Sequence, residues 1–146
     1  MIYLASDHGG YSLKENLKFE IQNLKLEFED CGNTALDEED DFVDFASQAA
    51  QKIKEGDFGL FFCRNGVGVD IVANRYQNIR SVLGFDEQQV RMARNDDDCN
   101  VLCLPADYLD EEKANKLVEI FLNTPFSEEE RFKRRLEKIK SIKSIN

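Results

Sequence analysis

The stretch F-F-C-R-N-G-V-G-V-D-I-V-A-N-R, from Phe61 to Arg75, decides the fold of this chain. An apolar run that begins at Phe58 stops at Cys63, a turn with Gly66 and Gly68 follows, and helical spacing then begins. A strand, a glycine-containing loop and a helix, in that order, turn backbone N–H groups toward an anion or a developing oxyanion. The stretch therefore predicts an α/β fold with an anion-binding turn.

Cys63 stands at the end of that predicted strand, where a thiol could act as a base or a nucleophile at the mouth of the turn. The positive end of the following helix dipole favours a thiolate. A free cysteine is also among the most buried residue types and packs as a small hydrophobe. The residue type alone leaves both roles open, and its conjunction with the glycine turn favours chemistry.

The composition is typical of a globular domain, with 42% hydrophobic and 33% charged residues in 146. This length fits one domain that spans residues 1–146. There is no apolar run of membrane-spanning length and no pattern of a secretory signal. The four cysteines have no Cys-x-x-Cys spacing, which argues against zinc and a redox dithiol. We therefore expect a reduced, cytoplasmic protein without a membrane partner.

The charge is strongly negative and unevenly distributed. A net charge of −10 argues against nucleic-acid binding, which needs a basic surface. From Ser127 to Asn146, seven Lys or Arg residues face four Glu, so this segment is +3 and the rest of the chain is −13. Such a basic segment is either a solvated surface or a source of guanidinium groups for a small anionic substrate.

Strand and helix patterns alternate along the whole chain. Strands are predicted at 2–6, 26–30, 58–63, 81–85 and 100–104, and helices at 11–24, 42–55, 69–76, 86–95, 110–122 and from 127. This order predicts a single-domain, Rossmann-like α/β/α sandwich with a five-stranded parallel sheet and an extended C-terminal helix. The last helix, 127–146, has no sheet left to cover, so we expect it to pack on a neighbouring subunit. The acidic run 37–41 is interpreted as solvated surface without chemistry.

Ligands of parallel sheets bind outside the carboxyl ends of the strands. We expect Asp7-His8, the loop 63–68 and the segment Asp96–Asn100 to meet at this edge. His8 is the only histidine of the chain. A lone histidine is more often structural than functional, but its position between an aspartate and two glycines at a strand end favours a ligand contact.

With these motifs in order, the chain resembles the ribose-5-phosphate isomerase B type of sugar-phosphate isomerase, which includes the galactose-6-phosphate isomerase subunits. The resemblance covers nearly the whole length and keeps the order and spacing of the family motifs. The motifs are S-D-H-G-G at 6–10, D-F-V-D-F-A at 41–46, C-R-N-G-V-G-V-D-I-V-A-N-R at 63–75, D-D-D-C-N-V-L at 96–102 and E-R-F-K-R-R at 130–135.

The resemblance implies an aldose–ketose isomerase that converts ribose 5-phosphate to ribulose 5-phosphate through a cis-enediolate. It implies that Cys63 is the base that moves a proton between C2 and C1. It also implies an oxyanion hole made by amides from Asn65 to Gly68, with Gly66 and Val67 between them. Backbone donors suit this role because they are preorganised toward the developing charge.

The resemblance further implies how the substrate is held. Asp7 matches a residue that binds the sugar, while His8, Arg131 and Arg135 match phosphate contacts. Arg131 and Arg135 are four residues apart, so both can reach one dianion from the same helix face. The family forms homodimers or homotetramers with active sites between subunits. The resemblance implies no metal and no organic cofactor.

Some positions depart from the family pattern. Arg64 and Asn65 stand where a glycine and a hydroxyl residue are usual, and Asp96 and Asp97 replace a ring-opening histidine and a sugar-binding amide. Asn65 and Asp96 therefore occupy the ring-opening positions, and a carboxylate can act there as a base. Arg64 adds a positive charge beside the thiol, and Asp97 is expected to contact the sugar. A tyrosine usual at the position of Phe42 is also lost.

These departures leave two alternatives open beside ribose 5-phosphate isomerisation. Hydroxyl-binding groups select the length and stereochemistry of a sugar, so the chain could act on a hexose 6-phosphate of the galactose or allose type. It could also be a catalytically silent subunit that binds a phosphosugar, with a partner that carries the missing groups.

Overall fold

The computed structural model of the chain describes residues 1–142. The strands are β1 (Ile2–Ser6), β2 (Phe28–Asp30), β3 (Phe58–Cys63), β4 (Ser81–Leu83) and β5 (Val101–Pro105). The helices are α1 (Tyr11–Asn23), α2 (Phe42–Lys52), α3 (Val67–Ala73), α4 (Glu87–Asp97), α5 (Glu111–Asn123) and α6 (Glu130–Lys140). Residues 143–146 of the predicted C-terminal helix lie outside the described residues, and the single domain over 1–146 stays a prediction.

All strands of the sheet are parallel, in the order β2-β1-β3-β5-β4. The predicted five-stranded parallel sheet is therefore confirmed. The central strands β3 and β5 consist almost entirely of apolar residues, because they are covered on both faces. Phe61, Phe62, Leu102 and Leu104 are all completely buried.

The helices lie on both faces of the sheet. The connection from β1 to β2 and the connection from β2 to β3 run in opposite directions, so right-handed crossovers put α1 and α2 on opposite sides. Helices α1, α4 and α5 bury Leu17, Val90 and Phe121 in one core. Helices α2 and α3 bury Ala49 and Val69 in the other. The predicted α/β/α sandwich is confirmed.

Helix α6 begins later than predicted. Its first residue is Glu130, because Glu128 has a left-handed φ of +56° and Glu129, the N-cap residue, is extended. The Ser127 N–H donates to the Asn95 carbonyl at 3.0 Å, which ties this segment to the end of α4. Within the chain α6 lies beside α4 and buries Phe132. No helix within residues 1–142 is both long and apolar enough to cross a membrane.

The turn between β3 and α3 depends on a left-handed glycine. Gly66 is the N-cap residue of α3, with φ +73° and ψ −14°. A Cβ at this position would overlap the Leu83 side chain and lie 3.1 Å from the Pro105 backbone nitrogen. The turn is therefore packed against the ends of β4 and β5, and it has room for glycine only.

We expect Gly66→Ala to destabilise the protein more than Gly56→Ala. Gly56 also has a positive φ, +86°, but a Cβ there would meet no atom within 4 Å. Both variants have the conformational strain of a left-handed alanine, about 1–2 kcal/mol, and overpacking at Gly66 adds roughly 1–3 kcal/mol. Urea unfolding followed by circular dichroism measures both. Equal losses in the two variants would show that the turn has room for a side chain.

Candidate active site

The loops that follow β1 and β3 lie side by side at the carboxyl edge of the sheet, and we call the space between them the crevice. These strands are neighbours, with Ser6 in register with Phe62. The helices that follow them, α1 and α3, lie on opposite faces, so the two loops diverge. Such a divergence is a topological switch point, the usual ligand site of an open parallel sheet. It brings Asp7-His8 and the loop 63–68 together, as predicted.

Cys63 is the last residue of β3 and its side chain is almost fully buried. Its carbonyl accepts a hydrogen bond from the Ala106 N–H at 2.9 Å, which joins the end of β3 to the end of β5. The thiol Sγ lies 4.0 Å from Oδ1 of Asn65. The sulfur is thus held by rigid strands at the base of the glycine turn.

The amides of this turn are not equivalent. Oδ1 of Asn65 accepts a hydrogen bond from the Val67 N–H at 3.1 Å, so that donor has an intramolecular acceptor. The N–H groups of Asn65, Gly66 and Gly68 have no acceptor within residues 1–142. The donors that remain for a developing oxyanion are therefore those of Asn65 and the two glycines.

Asp7 and His8 are held at the other side of the crevice. Oδ1 of Asp7, a buried residue, accepts from the Gly10 N–H at 3.1 Å. Nδ1 of His8 lies 2.7 Å from Oδ1 of Asp40. This hydrogen bond raises the pKa of His8, and the nearby Asp7 carboxylate adds to the effect, while burial and Arg64 oppose it. His8 therefore keeps its positive charge to higher pH than an ordinary histidine.

Arg64 lies at the rim of the crevice. Its side chain passes over Gly9, where a Cβ would overlap it. Its guanidinium is exposed and 3.8 Å from the Asp107 carboxylate. Arg64 also opposes the protonation of His8, as expected of a second cation on the same rim. An exposed ion pair of this length is weak, so the guanidinium can turn toward an anion.

The expectation that Asp96–Asn100 joins this edge is wrong. Helix α4 runs back across the sheet, so Asp96 and Asp97 lie at its end, before the first residue of β5. Cys63 is in register with Pro105, the last residue of β5. The two groups are thus separated by the length of the strand, on the order of 15 Å. The chain carries its predicted site residues at opposite edges of the sheet.

Arg131 and Arg135 belong to this second group. Their guanidinium carbons lie 4.6 and 5.6 Å from the centre of the Phe132 ring, which is buried between them. Arg135 also lies close enough to Asp97 to affect it: burial and the neighbouring Asp96 raise the pKa of the Asp97 carboxyl, and Arg135 opposes the rise. Two guanidinium and two carboxyl groups therefore cluster at the amino edge.

Asp40 is a site residue that the sequence interpretation missed. It belongs to the acidic run 37–41, yet its side chain is only 7% exposed because it binds His8. The strand order contains a signal that could have identified Asp40 as a site residue. The edge strand β2 pairs with β1, so the loop that follows β2 must reach the end of β1, where Asp7 and His8 lie.

The side chains of Asp7, His8 and Asp40 could also hold a metal ion, because one ligand atom from each lies within 4.8 Å of the others. His8 Nδ1 and Asp40 Oδ1 are already bonded to each other, however, and Asp7 Oδ1 is bonded to Gly10. The hydrogen bonds explain the cluster without a metal, and we assign none to it.

Known proteins are similar to this chain in sequence and in fold. The family model for ribose/galactose isomerase matches residues 2–139. The probable ribose-5-phosphate isomerase B of Mycoplasma genitalium is 35% identical over 141 residues, which cover 94% of this chain and 92% of that protein.

Solved structures agree with this match. The ribose-5-phosphate isomerase B of M. genitalium with bound ribulose-5-phosphate has a TM-score of 0.91 at 34% identity, over 95% of this chain and 93% of that one. The enzyme from Thermotoga maritima has a TM-score of 0.91 at 37% identity, over 97% of both chains. The resemblance noted from the motifs is confirmed: the chain belongs to the ribose/galactose isomerase family.

Proposed function

We propose that this protein is a sugar-phosphate aldose–ketose isomerase that interconverts ribose 5-phosphate and ribulose 5-phosphate. The observation that carries the proposal is the buried Cys63 thiol at the end of β3, beside the acceptor-free amides of Gly66 and Gly68. A base next to an oxyanion hole is what proton transfer at a carbon beside a carbonyl requires. The relative with bound ribulose-5-phosphate supports the choice of substrate.

In the proposed reaction the Cys63 thiolate removes the proton from C2 of the open-chain aldose. The C2–H electrons form the double bond of a cis-enediolate, and negative charge develops on O1. The N–H groups of Gly66 and Gly68 stabilise that charge because they are fixed by the strand and the helix on either side. The thiol then returns its proton to C1, the O2 proton passes to O1, and the product carries its carbonyl at C2.

The remaining residues of the carboxyl edge would bind the substrate. The carboxylate of Asp7 suits the sugar hydroxyls, and the cationic rim of His8 and Arg64 suits an anionic group. Ring opening needs a different group. The Asn65 amide cannot exchange a proton as a hydroxyl does, and its Oδ1 is already bonded to Val67. Asp96 is therefore the stronger candidate for the ring-opening base.

Asp96, Asp97, Arg131 and Arg135 can act on a substrate at Cys63 only if a second copy supplies them. Within one chain the length of β5 separates the two groups. In a two-fold dimer the amino edge of each copy can meet the carboxyl edge of the other, which completes two equivalent sites.

An exposed apolar surface beside the crevice supports a homodimer. Val43 on α2 is 45% exposed, and Val67 and Ile71 on α3 are 42% and 54% exposed. Val67 directly follows Gly66, and Phe42, the neighbour of Val43, lies against Gly68, so a second copy that covers this surface would also reach the site. A homotetramer would repeat this contact. A cytoplasmic location and a reaction without metal or organic cofactor stay predictions.

A hexose 6-phosphate of the galactose or allose type is the second candidate substrate. The observation that favours it is the pair Asp96 and Asp97, two carboxyls where the family uses a histidine and an amide. Carboxylates accept hydrogen bonds from sugar hydroxyls and offer no donor when ionised, so they select a different pattern of hydroxyls. A substrate panel with both phosphate classes decides between the candidates.

We expect Cys63→Ala to lose isomerase activity while it keeps its affinity for ribose 5-phosphate. Loss of a general base lowers kcat by roughly 10²–10⁴-fold. The assay follows ribulose 5-phosphate formation, with allose 6-phosphate and galactose 6-phosphate in parallel, and calorimetry measures binding. The matched control is Cys103→Ala, which removes a fully buried thiol from β5 and leaves the turn intact.

Full activity of Cys63→Ala would exclude Cys63 as the base. Turnover of a hexose phosphate alone would select the second candidate. Binding without turnover in the wild-type protein would instead indicate the silent phosphosugar-binding subunit and overturn the proposed activity.

A second experiment tests the shared site. Cys63→Ala and Arg135→Ala should each be inactive, but a mixture with exchanged subunits contains heterodimers in which one site has both residues intact. About a quarter of the wild-type activity should return at equal mixing. Cys63→Ala mixed with His8→Ala is the control, because both changes lie at the carboxyl edge and no intact site can form. Equal results from both mixtures would contradict the shared site.

A further inference from the structure

Asp40 differs from the other members of its acidic run. The side chains from Asp37 to Glu39 are exposed, whereas that of Asp40 turns inward and is 7% exposed. Oδ1 of Asp40 accepts two hydrogen bonds from His8, one from the backbone N–H at 3.0 Å and one from ring Nδ1 at 2.7 Å. One carboxylate oxygen thus fixes both the position of the His8 backbone and the rotation of its ring.

The second oxygen of Asp40 is also occupied. Oδ2 accepts from the Asn33 side-chain amide at 2.7 Å. Oδ1 of Asn33 accepts from the Ser6 hydroxyl at 3.1 Å, and the Asn33 carbonyl accepts from the ammonium of Lys14 at 2.8 Å. Lys14 is fully buried. The carboxylate is therefore anchored to β1 and α1 through buried partners, although it belongs to an exposed loop.

This arrangement determines what His8 can offer a ligand. Because Nδ1 is engaged by Asp40, Nε2 is the ring nitrogen left, and it has no hydrogen-bond partner within residues 1–142. When the ring is protonated, Nε2–H donates to an anion. When the ring is neutral with its proton on Nδ1, Nε2 carries a lone pair that repels an anion.

We propose that Asp40 is a positioning residue that holds the His8 ring with Nε2–H directed into the crevice, where it donates to the phosphate of the sugar. This inference rests on the proposed function, because it assumes that His8 contacts the phosphate. The charged groups that face His8 are Asp40, Asp7 and Arg64. The two carboxylates raise the pKa of His8, Asp40 through its hydrogen bond, and the guanidinium opposes them. Substrate affinity should therefore persist to higher pH than an isolated histidine would permit.

The test compares Asp40→Asn with Asp37→Asn. Both variants remove one negative charge from the same loop, but Asp37 is exposed and its contact is to the Glu39 N–H. The chain has a single histidine, so its ring resonances are unambiguous in an NMR titration. We expect the wild type and Asp37→Asn to titrate above the ordinary value of 6.5, and Asp40→Asn to titrate at lower pH.

The kinetic result should follow the titration. In Asp40→Asn the KM for ribose 5-phosphate should rise roughly tenfold at a pH between the His8 titration midpoints of the two proteins, because one charge-assisted hydrogen bond to the phosphate is lost there. The kcat at saturating substrate should change much less, since Cys63 and its turn are untouched. The titration of the substrate phosphate is common to all variants, so the comparison with Asp37→Asn removes it.

Two results would overturn the proposal without any dependence on the fold of the variant. One is a His8 pKa at or below the ordinary value in the wild-type protein. The other is unchanged titration and unchanged KM in Asp40→Asn. The NMR measurement needs no turnover, and inorganic phosphate can serve as the probe that shifts the His8 resonances. An inactive protein would therefore contradict the proposed function while the positioning role of Asp40 is still tested.

Discussion

The parallel sheet, covered by helices on both faces, is the constraint on which the rest of this molecule depends. Its central strands β3 and β5 bury all of their apolar side chains except Phe58, which is partly buried, so neither face is open to a ligand. Polar groups can reach solvent only at the two edges where the strands begin and end. At the carboxyl edge β1, β2 and β3 end side by side, and their loops deliver Asp7-His8, Asp40 and the turn after Cys63 to one crevice.

The same constraint limits what one chain can build. Each helix between parallel strands runs antiparallel to them, so groups at the end of a helix reach the amino edge. The end of α4 and the start of α6 therefore gather Asp96, Asp97 and the arginines beside Phe132 far from the thiol. A site that needs both groups has to combine two copies, and the apolar surface of α2 and α3 next to the crevice is where a second copy would be expected to bind.

Much of the fold could be predicted from the sequence because its signals are local. Apolar runs such as Phe58–Cys63 and helical spacing such as that of α5 require only neighbouring residues, and their alternation implies a parallel sheet. The ends of helices were predicted less accurately. Helix α2 ends at Lys52 rather than at the predicted residue 55, because the backbone of Ile53 is extended and its side chain is buried in the core. That burial depends on tertiary contacts, which no local pattern contains.

The site residues that directly follow a strand could be predicted from the sequence. The residue that a long loop brings to the site could not. Asp7, His8 and Cys63 follow from strand ends alone. Asp40 does not, because nine residues separate it from the end of β2 and the composition of that segment is typical of a solvated loop. Asp96 was misplaced because its segment precedes β5, and the amino end of that strand was grouped with the carboxyl ends of the others.

The acidic character of the chain gives the cationic groups their importance. A net charge of −10 repels a sugar phosphate at long range, although salt screens this repulsion beyond about 8 Å. Affinity must then come from groups that contact the anion directly. His8 is the one such cation whose charge depends on pH near neutrality, since the arginines stay protonated. Under the proposed function, a buried carboxylate that keeps His8 charged and oriented favours phosphate binding on so negative a chain, and Asp40, anchored by Asn33 and through it by Lys14, is placed to do so.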